Sequence, residues 1–168
     1  MISPELLRRH RFFAGFSHEQ LDELAMAADD ASISTNHWIF LEGEILTQFF
    51  LLLEGSVTLT QNIPDRKARQ TTAMHVTGNL TTRVVNIGTL TEQEILGWSA
   101  LIPPNKSTAG AQAMTECRVI SFDMKRLRPI LENNCSFSHL MTLKAAQIIR
   151  ERLRMRRIEL LGDYVQGA

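Results

Sequence analysis

The sequence predicts a mainly β domain, a sandwich or barrel with flanking helices, on three observations. A helix-opening motif stands near the start, at Ser17-His18-Glu19-Gln20. From Ile33 to Phe122 apolar residues recur with a period of two between Gly and Asn punctuation, the pattern of many short strands. After Phe122 the period becomes helical, and at 168 residues the whole suits one domain with its own core.

Taken in order, Ser17 and Gln20 form a capping box, with Phe16 and Leu21 as the accompanying hydrophobic staple. A helix over 17–28 follows, with Leu21, Leu24 and Ala28 on one face. Strands are expected at 38–41, 49–53, 57–60, 84–87, 110–114 and 118–122; Glu54-Gly55 closes 49–53 into a hairpin with 57–60. The polar stretch 62–82 reads as a long hairpin with a mobile tip. Asp123 can cap a helix over 124–131, which Pro129 should kink or break. Ser136 or Ser138 can cap a longer one. In it Thr142, Ala146, Ile149, Leu153, Arg156 and Leu160 recur at intervals of four and three, widened by Ala145 and Ile148. Such a stripe serves either helix-to-helix dimerisation or packing on the domain, and the sequence leaves both open.

Lys plus Arg and Asp plus Glu both number 18, so no net field calls for nucleic acid or a membrane. Arg8, Arg9, His10 and Arg11 near the start, and Lys144, Arg150, Arg152, Arg154, Arg156 and Arg157 near the end, read as solvated helix faces. Two cysteines, Cys117 and Cys135, make no CxxC pair, and neither an export signal nor a spanning apolar stretch is visible, so a cytoplasmic location is expected. The five His, at positions 10, 18, 37, 75 and 139, include no HxH and no i,i+4 pair, which argues against a metalloenzyme of the cupin kind. The run Gly97-Trp98-Ser99-Ala100-Leu101 lacks the second Gly of a nucleophile elbow. No catalytic residue and no metal ligand is assigned.

The segment 94–113, EILGWSALIPPNKSTAGAQA, carries the chemistry. Gly97 allows a sharp turn just where Trp98, Ser99, Ala100 and Leu101 can start a short helix, whose free N–H groups would face an anion. Pro103-Pro104 ends that helix, and Lys106, Ser107 and Thr108 return one cation and two hydroxyls towards it.

Several stretches together resemble the cyclic-nucleotide-binding domain, the effector module of the catabolite-activator family. Residues 12–17 (FFAGFS) resemble the approach to its first helix, 39–44 (IFLEGE) its IFxEG turn, and 50–57 (FLLLEGSV) its YxIxxGxV hairpin. The GWSAL cassette is similar to that of a small bacterial stand-alone subgroup, and the resemblance runs from about residue 6 to 162. It implies a double-stranded β-helix, or jelly roll, of about eight strands, with an N-terminal helical segment (1–30), the roll (31–122, cassette 94–113) and two C-terminal helices (123–168) in one domain. It further implies a non-catalytic sensor or regulatory module, in which cassette N–H groups take a cyclic phosphate, an Arg neutralises it, a Glu after the Gly holds the ribose, and the last helix closes on the base.

Carried over, Gly97, Ser99 and Ala100 supply N–H groups, Lys106 the charge, Ser107 and Thr108 hydroxyls, and Trp98 a wall or stacking surface. Trp98 stands where the family has Glu, and Ser107, or Lys106 if the loop is shifted by one, where it has Arg, so the pocket is expected to be altered against ordinary cyclic AMP and to suit a cyclic nucleotide or another small anionic or aromatic ligand, if any. The expected partners are a second copy, through the last helix, and a separate output protein. Too few residues follow that helix for sequence-specific DNA reading. A ligand-free module for dimerisation or docking is the alternative.

Overall fold

The computed structural model of the chain describes residues 2–65 and 81–166. Among the described residues, eight strands form two antiparallel four-stranded sheets, ordered β1-β8-β3-β6 and β2-β7-β4-β5, in the double-sheet layout of a jelly roll. The strands are β1 (Ala28–Ile33), β2 (Trp38–Phe40), β3 (Gln48–Glu54), β4 (Val57–Pro64), β5 (Thr82–Leu90), β6 (Ile95–Leu96), β7 (Gly110–Ala113) and β8 (Cys117–Asp123). Helices α1 (Pro4–Arg8) and α2 (His18–Met26) precede them, and α3 (Met124–Asn133) and α4 (Cys135–Gln166) follow.

The capping box forms as expected: the Gln20 N–H donates to Ser17 Oγ (3.2 Å) and the Ser17 N–H to Gln20 Oε1 (3.0 Å). The chain then enters the sheet earlier than its periodicity indicates. Residues Ala28–Ile33, ADDASI, have low β-propensity, yet they pair residue by residue with β8 from Ala28↔Phe122 to Ile33↔Cys117. A two-point bond from Arg118 to Asp30 (3.1 and 2.6 Å) crosses that ladder, so pairing overrides propensity. Strands β4 and β5 form the long hairpin, paired from Val57↔Leu90 to Pro64↔Thr82; its expected tip lies in residues 66–80, outside the described residues.

Pro129 does not interrupt α3, which runs on to Asn133. It lies on the exposed face, where water can serve the Lys125 carbonyl that loses its helical donor. The cap of α4 is Asn134 rather than Ser136 or Ser138: Asn134 Oδ1 accepts from the Phe137 N–H at 3.0 Å.

The core is aromatic at its centre. Phe49 of β3 and Phe122 of β8 stack 4.5 Å apart at 5°, and Phe13, Phe16 and Phe137 continue the contact to the base of α4. Helix α4 lays Phe137, Met141, Ala145 and Ile148 on the domain. The stripe picked out by sequence lies about a quarter turn round from that face, at 3.6 residues per turn. Thr142, Ala146 and Leu153 are exposed, and Ile149 and Arg156 half-buried. Of its two readings, packing on the domain falls to the two residues that widen it, Ala145 and Ile148, with Phe137 and Met141 on the same face.

Candidate functional site

The cassette hangs on β3. Leu52 exchanges hydrogen bonds with the turn before β6, its N–H to the Glu94 carbonyl (2.9 Å) and its carbonyl from the Gln93 N–H (2.8 Å). Strand β6 pairs Leu96 with Phe50 and Ile95 with Leu51. The chain then turns at Gly97, whose φ of 72° and ψ of 23° are left-handed. A side chain there would also crowd the backbone of β3, since its Cβ would lie 3.1 Å from the Gln48 carbonyl oxygen. Beyond Gly97, Trp98–Leu101 forms a single 3-10 turn, with the Ala100 N–H donating to the Gly97 carbonyl at 2.9 Å.

Asn105, at φ 61°, closes the far end of this turn. Its Nδ2 donates to the Ala100 carbonyl at 2.8 Å, and its Oδ1 accepts from Arg128 of α3 at 3.3 Å. The following segment returns past the Glu42–Glu44 turn, with the Ser107 N–H on the Glu44 carbonyl (2.8 Å) and the Gly43 N–H on the Ser107 carbonyl (2.9 Å). The Ser107 hydroxyl donates to the Ala109 carbonyl.

Five of the seven expected site residues converge. Gly97, Trp98, Ser99, Ser107 and Thr108 line one cleft, walled further by Phe40, Leu59 and Ala109. Ala100 is fully buried in the cassette, and Lys106 is exposed with its stem passing Gly43; neither lines the cleft. The cleft measures about 20 Å³, room for a water and little else. Among the described residues, its charged lining residue is Arg152 of α4.

Arg152 continues the buried face of α4, spaced by four, four, three and four through Phe137, Met141, Ala145 and Ile148. Its guanidinium donates to the Ile95 carbonyl. Burial lowers its pKa from the ordinary value, Glu94 opposes the shift and Arg156 adds to it; an arginine keeps its charge nonetheless. One turn on, Arg156 packs against β5, where a Cβ on Gly88 would clash with its guanidinium. Sequence reasoning counted both arginines with a solvated cluster. The signal was present for Arg152, in phase with the buried face, but the neighbouring stripe, which runs on to Leu160, obscured it. Asn105 was missed because its role depends on the turn it closes.

Behind the cassette, His10 is buried between two backbone partners. Its Nε2 lies 2.8 Å from the Gln93 carbonyl and its Nδ1 3.2 Å from the Phe12 N–H, an arrangement that the neutral Nε2–H tautomer satisfies. Burial lowers its pKa, the bond to Gln93 opposes this, and Arg11 reinforces it. Among the described residues no three His, Cys, Asp or Glu converge as a metal site, and no helix is long and apolar enough to cross a membrane.

Known proteins share this architecture. Over 146 residues the chain is 21% identical to a CRP-like cAMP-activated global transcriptional regulator of Mycobacterium tuberculosis; the alignment covers 87% of this chain but 58% of the relative, so the chain spans little more than half that protein's length. A solved structure of a candidate cyclic nucleotide-binding protein from Geobacter metallireducens is 31% identical, with a TM-score of 0.73, over 91% of this chain and 99% of that one. The catabolite activator protein of Thermus thermophilus shares the fold at 17% identity and a TM-score of 0.61, over 98% of this chain and 63% of its own. The cyclic nucleotide-binding domain family matches residues 31–134, more than half of the sequence, and the chain belongs to that family.

Proposed function

We propose that this chain is a non-catalytic sensor or regulatory module whose cassette has been rebuilt, so that the cation at the pocket comes from the last helix instead of the loop. The observation that carries this reading is Arg152, which lines the cleft beside Gly97, Trp98, Ser99, Ser107 and Thr108 while Lys106 does not. In this reading Trp98 occupies the ribose position, Ser99 offers its N–H, and the Ser107 and Thr108 hydroxyls lie near Arg152. A ligand enters by displacing Arg152 from Ile95, and α4 shifts with it. Ligand occupancy and helix position are then two faces of one equilibrium, passed to a separate output protein. The free thiols of Cys117 and Cys135 suit a reducing cytoplasm.

The small cleft supports a second reading, a ligand-free module for dimerisation or docking. Leu143, Leu153, Met155, Ile158 and Leu161 of α4 are all exposed, and they give such a module its surface. Thermal denaturation against cyclic AMP, cyclic GMP, cyclic dinucleotides and small aromatic metabolites separates the two. A sensor gains several degrees at saturating ligand. Unmoved curves across the set favour the docking module.

A further inference from the structure

A second, larger cavity lies outside the cassette, between the turn after α1, the β5–β6 connection and α4. It measures about 260 Å³, thirteen times the cassette cleft in the same measure. Four cations line it, Arg11, Lys144, Arg150 and Arg152, against two carboxylates, Glu94 and Glu151. In a chain of zero formal net charge this is a local excess of two positive charges.

Both carboxylates have nearer partners than those cations, although Glu94 still attracts Arg152 at longer range. Glu94 Oε2 accepts from the Thr91 N–H at 2.7 Å, and Glu151 pairs with Arg154 at 3.7 Å. Among the described residues, none of the four cations has a carboxylate oxygen within 4.0 Å. Cations in excess around a concavity repel one another, and an anion that enters relieves this. Phe12, Ile95 and Ile148 give part of the wall an apolar character.

We propose that this cavity is a binding site for a compact, multiply charged phosphate anion, such as a pyrophosphate group or a small phosphate ester. The volume holds on the order of ten non-hydrogen atoms, at roughly 30 Å³ for a water in the liquid. Guanidinium forks from Arg11 and Arg152 match phosphate oxygens in pairs, and Lys144 adds a point charge. Because Arg152 also lines the cassette cleft, an anion bound here acts on the residue that fills that cleft.

The test is calorimetric titration of the full chain with pyrophosphate, and separately with ribose 5-phosphate, at constant ionic strength. The expected result is sub-millimolar binding of at least one probe, weakened tenfold or more in Arg11→Glu/Lys144→Glu and left within twofold of wild type in Thr108→Ala, which alters only the cassette cleft. Arg11 is exposed and Lys144 half-buried, and circular dichroism establishes that the double variant folds. No heat from the wild type up to millimolar probe overturns the proposal. So does equal affinity in the folded double variant, or loss of binding in Thr108→Ala, which would place the anion in the cassette.

Discussion

The Arg152 guanidinium donates to the Ile95 carbonyl, so one charged hydrogen bond joins the last helix to the strand that leads into the cassette. Removing it in Arg152→Ala leaves that carbonyl unpartnered and opens a gap between α4 and β6. A charged hydrogen bond contributes about 1.5–3 kcal/mol, and the half-buried position sets the lower end. The variant should therefore melt roughly 3–6 °C below wild type. Differential scanning calorimetry measures this, and an unchanged melting temperature would show that the bond contributes nothing to stability. Arg152→Lys keeps the charge with fewer directed donors and should lose less.

Helix α4 starts from the Asn134 side chain, although two serines follow it closely. Asn134→Ala should cost about 1 kcal/mol in urea unfolding, the usual value for a lost cap. Ser136→Ala and Ser138→Ala should each stay within about 0.5 kcal/mol of wild type. Loss in either serine variant equal to that of Asn134→Ala would move the helix start.

The burial of His10 links stability to pH. Its folded pKa lies below the ordinary 6.5, so the unfolded chain takes up the proton first as pH falls. The stability it contributes is complete above about pH 6.5 and is lost as pH falls from there towards the depressed folded value. Protonation would also remove the Nδ1 lone pair that holds the Phe12 N–H. Melting temperatures of wild type and His10→Gln between pH 8 and pH 5 check this: the wild-type curve should fall more steeply below pH 6.5, and parallel curves would contradict it.

The exposed apolar side of α4 predicts self-association. Ile158 and Leu161, three residues apart on one side of the helix, are 53% and 65% exposed, which two-copy packing would cover. Light scattering coupled to size exclusion should find a dimer of the wild type at micromolar concentration, and Ile158→Glu/Leu161→Glu should raise its dissociation constant at least tenfold. A monomeric wild type would overturn this assignment of the face.

How far the sequence carried the fold is clearest at its two ends. The Ser17 box and the alternation through β3 and β4 were legible because local propensity and tertiary pairing agree there. Strand β1 was not legible: Asp29 and Asp30 oppose a strand locally, and its cause lies 88 residues away at Arg118. In the site, Gly97 was readable because its backbone demands glycine, and Trp98, Ser99, Ser107 and Thr108 came with the cassette's resemblance to the family. The choice between Lys106 and Arg152 was not readable. Both are cations near the cassette, one in sequence and one in space, and the geometry of α4 alone separates them.

We propose that the backbone keeps the family's cassette while Trp98 and Ser107 stand in place of its two charged contacts. Each lost charge-assisted bond weakens a ligand by about 1.5–3 kcal/mol, or roughly two to four powers of ten for both. Calorimetry with cyclic AMP on the wild type and on folded Trp98→Glu/Ser107→Arg tests this most directly. The double variant should bind at least about a hundredfold tighter than the wild type. Equal affinity in the two proteins, or no binding by the folded double variant, would contradict it.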